Sequence, residues 1–329
     1  MNGKKRILSG MRPTGRLHLG NLHGALLNWV ELQESYESFF FIADWHALTS
    51  NFEDTIGTPT AIQDMLLDWL SAGLDPQKAT LFIQSHVLEH AELYLLLGMI
   101  TPVSWLERNP TYKDQIMQIQ NKDLSNFGFL GYPILQAADI IMYKAWGVPV
   151  GIDQIPHLEL TREIVRRFNY LYGNTFPEPE VVLTKTSKIL GLDRRKMSKS
   201  YDNAIYFTES GENIRKKVAQ MVTDPQRMRK EDPGNPEICN VYDFHKLYSP
   251  EDITAQLDAD CRIAAVGCVG CKKILAENLV FSLAPYREKR IQLEAQSSWI
   301  KDIIVDGNAR ARQIAQATMK EVREKLHLA

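Results

Sequence analysis

The sequence holds 329 residues, 44% of them hydrophobic and 24% charged, a balance that supports a sizeable core and excludes a disordered chain. The length predicts one large domain with a smaller companion. With 38 basic and 40 acidic residues the formal charge is -2, so no global field draws in nucleic acid and any RNA contact must come from local patches. Lys4, Lys5 and Arg6 are followed by Ile7-Leu8-Ser9-Gly10 rather than by a leader core. The longest apolar run, 93–97 with Met99 and Ile100, falls short of the ~20 residues that cross a bilayer. A cytoplasmic protein without membrane or DNA contact is expected.

Short apolar runs alternate with helical patterns in chain order: 6–9 then 19–33, 38–43 then 62–74, 80–84 then 89–99. Such alternation predicts an α/β fold, a Rossmann-like parallel sheet with helices on both faces, whose ligands bind at the carboxyl ends of the strands. After Thr184 the strand signal stops, and a smaller all-helical domain is expected. The predicted division is a nucleotide- and amino-acid-binding domain over 1–184, a basic loop over 185–203 and a helical domain over 204–306. In the tail over 307–329, Ala309, Ile314, Ala315, Met319, Val322 and Leu326 recur at helical spacing, which predicts an amphipathic helix packed on the body.

The loop after the first strand reads Ser9-Gly10-Met11-Arg12-Pro13-Thr14-Gly15-Arg16-Leu17-His18-Leu19-Gly20-Asn21. A glycine-rich helix N-terminus attracts phosphate through free N–H groups and the helix dipole, and Gly20 allows close approach. His18 and Asn21 can add hydrogen bonds; the plainer alternative is a glycine turn capped by asparagine. The second motif, Lys196-Met197-Ser198-Lys199-Ser200, lies in a stretch from 185 to 200 with six basic residues and one acid, a local charge of +5. Two lysines on a loop can neutralise departing pyrophosphate; the alternative is a solvated basic loop.

Together these motifs resemble the paired signatures of class I aminoacyl-tRNA synthetases. The segment Gly151-Ile152-Asp153-Gln154-Ile155-Pro156-His157-Leu158-Glu159-Leu160-Thr161-Arg162-Glu163 narrows the resemblance to the tryptophan and tyrosine subclass, and its His-x-Glu-Leu-x-Arg part looks like the tryptophanyl branch. The resemblance implies activation of L-tryptophan by ATP, with Mg2+ on the triphosphate, and transfer to tRNA(Trp) by a homodimer. It places ATP against Arg12, Pro13, Thr14, Gly20, Asn21, Gly151, Ile152, Asp153 and the loop Lys196, Met197, Ser198, Lys199 and Ser200. Catalytic roles fall to His18, Asn21, Lys196 and Lys199. Alternatives are a tyrosyl enzyme or a non-catalytic RNA-binding descendant.

Gln136 and Asp139, in Gly131-Tyr132-Pro133-Ile134-Leu135-Gln136-Ala137-Ala138-Asp139, have the spacing that presents both to one cavity. An indole N–H is only a donor, so a fixed carboxylate suits it. Asp139 matches the family's tryptophan-reading position, and Tyr132, Gln136 and Gln154 complete the implied tryptophan set. His46, after the second strand, reads as a satisfied core histidine. Lys113 is assigned to a polar insertion near triphosphate or RNA.

All four cysteines, Cys239, Cys261, Cys268 and Cys271, lie in the helical part with 21, 6 and 2 residues between them. Four thiolates suit tetrahedral zinc or a 4Fe–4S cluster. The resemblance extends to a subgroup of bacterial tryptophanyl enzymes with an iron-sulfur cluster on nearly this pattern, which implies a structural cluster, with Zn2+ as the alternative.

Overall fold

The computed structural model describes residues 3–110, 112–113, 126–151, 154–183 and 189–328, and of Ser200 the backbone alone. Ile152 and Asp153, assigned above to ATP, lie outside the described residues, as do Thr111 and the first residues of the basic loop, 185–188.

Five parallel strands form one sheet: β1 (Arg6–Met11), β2 (Glu37–Ile42), β3 (Ala79–Ile83), β4 (Gly147–Val150) and β5 (Glu180–Leu183), in the order β3-β2-β1-β4-β5. β2 reads Glu-Ser-Phe-Phe-Phe-Ile and is buried from Ser38 onward, the unbroken apolar pattern of a strand covered on both faces. The chain runs outward from β1 to β3 and returns beyond β1 with β4. That reversal opens a crevice between the carboxyl ends of β1 and β4.

The helices are α1 (Leu19–Asn21), α2 (Leu27–Ser35), α3 (Asp44–Asn51), α4 (Thr58–Ala72), α5 (Glu89–Ile100), α6 (Val103–Arg108), α7 (Phe127–Met142) and α8 (Ile155–Tyr172). After β5 follow α9 (Gly211–Gln220), α10 (Asn240–Tyr248), α11 (Glu251–Arg262), α12 (Cys268–Glu294) and α13 (Ser297–Lys325). The expected helix over 19–33 is interrupted by a π-helical stretch, Leu22–Leu26, a feature that often marks functional sites. Sequence patterning missed α3, β4 and β5. The short β4, with Gly147 and Pro149, carries little strand propensity.

Ile7, Phe40, Ile42 and Leu81 point to one face of the sheet, and Leu8, Phe39, Phe41 and Phe82 to the other, as the twofold strand period requires. The first face shares one core with the helical part: Ile205, Phe207, Ile214, Val218, Phe244, Leu275 and Leu279 join the cluster that holds Leu17, Leu22 and Leu26. The second face is covered by α5, α7, α8 and the later half of α13.

α13 begins well before the expected position 307. Gly307 lies against β3 so closely that a Cβ there would stand 1.8 Å from the Leu81 carbonyl oxygen. One residue on, the Asn308 side-chain oxygen accepts the Ile83 N–H at 3.0 Å. The helix therefore covers the open edge of β3. No helix among the described residues is long and apolar enough to cross a membrane.

Candidate active site

The nucleotide motif hangs from the end of β1. Gly10 has no side chain because the Phe41 ring of β2 occupies that place, 2.4 Å from where a Cβ would stand. The loop turns through Gly15 at φ +83° and reaches His18, whose backbone is extended and whose N–H donates to the Asn21 side-chain oxygen at 3.1 Å. Gly20 lets the His18 ring lie within 3.0 Å of its Cβ position. His18 Nδ1 is buried and has no hydrogen-bond partner among the described residues. Burial, with the charges of Lys199 and Lys196, lowers the His18 pKa to about 4, so the ring is neutral at pH 7 and can bond an oxygen without charge.

The lysine loop is shaped by Asn203, which is 2% exposed. Its amide donates to Asp193 Oδ1 at 2.7 Å and to the Lys196 carbonyl at 3.2 Å, while its oxygen accepts the Ser198 N–H at 2.8 Å. Leu190 bridges Lys196 to close the loop. Met197 is buried, with its Cβ 3.7 Å from the Cβ position of Gly20. Lys199 donates to the Thr14 carbonyl, and burial lowers its pKa to about 8 against the support of Asp68 and Asp64. Lys196 is exposed. The two motifs are thus stitched together, also by Leu19 N–H to the Ile205 carbonyl at 2.9 Å and by a His18–Tyr206 bridge.

A cavity of about 370 Å3 opens at the crevice between β1 and β4. Arg12, Tyr132, Gln136, Asp139, Gly151 and Gln154 all line it; Pro13, Thr14, Gly20, Asn21 and the lysine loop lie beyond its lining. Asp139, on α7, is 1% exposed. Its Oδ1 accepts from His90 Nδ1 at 2.6 Å and Gln84 Nε2 at 2.8 Å, and its Oδ2 from His46 Nε2 at 2.8 Å and Gln84 at 3.0 Å. Burial opposes ionisation of this carboxyl, but the bonds from His46 and His90 prevail and its pKa is lowered. Tyr143 OH bonds His90 Nε2 at 2.7 Å from behind. Tyr132 is fixed by His157, 3.3 Å from its hydroxyl.

Several readings change. Asp139 is not a free acceptor: its four acceptor positions are taken, and of its partners only His46 lines the cavity. His46 is accordingly a wall residue, its side chain 12% exposed, rather than a core histidine. Lys113 is exposed on a helical segment after α6, with its N–H on the Asn109 carbonyl, and is not part of the cavity wall. Gln84 and His90 escaped sequence reasoning because they sit 55 and 49 residues from Asp139, with no local pattern to join them.

The cysteines gather where α10, α11 and α12 meet. Cys239 precedes α10, Cys261 lies in the last turn of α11, and Cys268 and Cys271 share the first turn of α12. Burial, together with the charges of the other three cysteines, raises the Cys271 thiol to about 12. The expected metal site is not closed: among the described residues no three His, Cys, Asp or Glu side chains are grouped to hold a metal ion. Two sulfurs instead face other groups, Cys261 the Arg227 guanidinium at 3.9 Å and Cys271 the His245 ring at 3.4 Å.

Residues 1–283 match the family of class I tRNA synthetases for W and Y. A tryptophan–tRNA ligase of Thermotoga maritima is 50% identical over 98% of this chain and 99% of its own length. One of Aquifex aeolicus is 47% identical over 98% and 100%. The crystal structure of a Campylobacter jejuni tryptophanyl-tRNA synthetase complexed with ADP and tryptophan superposes with a TM-score of 0.87 at 36% identity, covering 98% of this chain and 100% of that one.

The depressed His18 pKa has a consequence for stability. Above the unfolded value of 6.5 neither state binds the proton. Between there and about 4 the unfolded chain takes up a proton that the folded chain refuses, so stability is lost as the pH is lowered through that window. Thermal unfolding followed over the window should show a shallower fall in His18→Gln than in the unaltered chain; equal slopes would contradict the neutral buried imidazole.

Proposed function

The chain belongs to the class I tRNA synthetases for tryptophan and tyrosine and, within them, to the tryptophan–tRNA ligases, and from that membership we infer that the crevice between β1 and β4 is where tryptophan meets ATP. The activity is ATP-dependent ligation of tryptophan to tRNA(Trp). A tryptophan carboxylate oxygen attacks the α-phosphorus, the bond to pyrophosphate breaks, and the terminal ribose hydroxyl of the RNA then attacks the adenylate carbonyl and releases AMP. No protein nucleophile takes part; the chain contributes positioning and charge.

The observation that carries the reading is the buried Asp139 anion on the cavity wall. With its acceptors filled, it can receive an indole N–H only as His46 yields, so we assign His46 to exchange its place on Oδ2 for the substrate. Tyr132, Gln136 and Gln154 complete the tryptophan site. Arg12, Pro13, Thr14, Gly20, Asn21 and Gly151, with Ile152 and Asp153, take ATP. His18 offers its unpartnered nitrogen to a nucleotide oxygen. Lys196 and Lys199 meet the departing pyrophosphate from the loop that Met197, Ser198 and Ser200 complete. Magnesium neutralises triphosphate charge when bound.

We assign residues 1–184, with α13 from 307 onward, to catalysis, 185–203 to the basic lysine loop and 204–306 to the tRNA anticodon. Homodimerisation is supported by Leu95, Met99, Val103 and Phe127, exposed on the neighbouring helices α5, α6 and α7. The chain fits a cytoplasmic enzyme. On the cysteines we propose a structural 4Fe–4S cluster, with zinc as the alternative. The support is the donor set itself and the raised thiols of Cys261 and Cys271, held up by burial and by the neighbouring cysteines, which a cationic centre reverses.

Two outcomes are expected. ATP–pyrophosphate exchange, measured with each amino acid in turn, should depend on tryptophan; exchange driven by tyrosine instead would overturn the assignment. Anaerobically prepared protein should be brown with about four irons per chain, and Cys268→Ser should bleach it while tryptophan-dependent exchange persists. A colourless preparation holding zinc would refute the cluster.

A further inference from the structure

The nucleotide motif is held from behind by a carboxylate outside the cavity. Asp68, on α4, has no exposure. Its Oδ2 accepts the Leu17 N–H at 2.6 Å, the peptide just before His18. Its Oδ1 accepts the Thr208 hydroxyl at 3.1 Å and Arg290 Nη1 at 2.5 Å. Arg290, on α12, is 4% exposed. It also donates to the Asp64 carbonyl at 3.1 Å, to the Asp64 carboxylate and to Glu294 at 2.8 Å. One buried anion therefore joins four parts of the chain: α4, the nucleotide motif, the segment after the lysine loop, and the long helix that starts at the cysteines.

A buried ion pair adds little net stability over well-packed apolar residues; what it does supply here is placement. We propose that Asp68 is a positioning residue for tryptophan activation, fixing the Leu17 peptide and hence His18, and making that placement depend through Arg290 on where α12 lies. The inference rests on the ATP-binding role given to the nucleotide motif above. Misplacement by an ångström can cost on the order of a hundredfold in rate. The residues assigned to tryptophan, Tyr132, Gln136, Asp139 and Gln154 with His46, come from α3, α7 and the turn into α8, none of which bonds to Asp68, so the anchor acts on the rate more than on amino-acid affinity.

Asp68 has a second, electrostatic reach. Around Lys199 stand Asp64 and Asp68 from α4, Arg16 and His18 from the nucleotide motif, Tyr206 and Glu209 from the segment after the loop with Lys217 of α9 on Glu209, and Arg287, Arg290 and Glu294 from α12. Asp68 and Asp64 are the two that favour the Lys199 charge. Loss of the Asp68 charge alone must let Lys199 deprotonate at lower pH.

The test is tryptophan-dependent ATP–pyrophosphate exchange on the full chain, with Asp68→Asn and Arg290→Lys compared with the unaltered protein between about pH 6 and 10. Asp68→Asn should lower kcat about tenfold or more, leave the KM for tryptophan within about twofold, and move the alkaline fall of kcat/KM for ATP to lower pH. Arg290→Lys should lose less rate and keep the alkaline fall in place. A folded Asp68→Asn protein with unchanged kcat and pH profile would overturn the proposal. So would a joint loss of kcat and tryptophan affinity with an unmoved profile, the mark of general loosening. If Asp68→Asn does not fold, Arg290→Lys decides: a lower kcat at constant tryptophan KM supports the proposal and an unchanged kcat refutes it. Absence of exchange in the unaltered chain would overturn the functional reading itself, whereas normal exchange with indistinguishable variants overturns this inference alone.

Discussion

A carboxylate ionised in a dry wall is the constraint around which the cavity is built. Moving Asp139 out of water costs several kcal/mol, roughly, unless its oxygens are satisfied, and three different elements supply the donors: His46 from α3, Gln84 from the turn after β3 and His90 from α5. Those bonds in turn fix how β3, α5 and α7 sit together, with Tyr143 closing the relay behind His90. Three of the four acceptor positions belong to buried partners and the fourth to a residue on the cavity wall, so only one donor can be exchanged for a ligand. In the proposed reading that single position selects an amino acid whose ring ends in an N–H.

The sheet puts this anion where it is useful. Because β4 returns on the far side of β1, the crevice has the nucleotide motif on one wall and α7 on the other, which in the proposed reading brings a carboxylate and an α-phosphate together. The segment after the lysine loop then crosses back to pair with the motif at His18 and Leu19. The shared core beneath, from Leu17 to Phe207 and Leu275, makes the helical part a buttress of the catalytic loops rather than an appendage.

Much of this was legible in the chain. The glycines and His18–Asn21 after an apolar run, and the two lysines after the sheet, are local patterns, and local patterns survive in a linear reading. The spacing of Gln136 and Asp139 likewise announced a shared face, and both line the cavity. What was not legible depends on distant pairing. His90 gives no sign in its own neighbourhood that it will meet Asp139, and His46 reads as core until the cavity beside it is seen. β4 and β5 are short strands whose order comes from the sheet around them. The cysteine spacing announced a common centre, and the fold brings the thiols into one electrostatic neighbourhood without closing them at ligand distance.

The central claim is that the Asp139 anion reads the indole N–H. It is tested most directly by calorimetric titration of the protein with tryptophan and with its benzothiophene analogue, in which sulfur replaces that N–H at nearly constant shape. Because His46 keeps its place on Oδ2 when the analogue binds, the difference is that of one net hydrogen bond, about 0.5 to 1.5 kcal/mol, or roughly 2- to 13-fold in affinity. The account predicts that tryptophan binds tighter by a factor in that range and that Asp139→Ala abolishes the difference. Equal affinities for the two amino acids in the unaltered protein would contradict it.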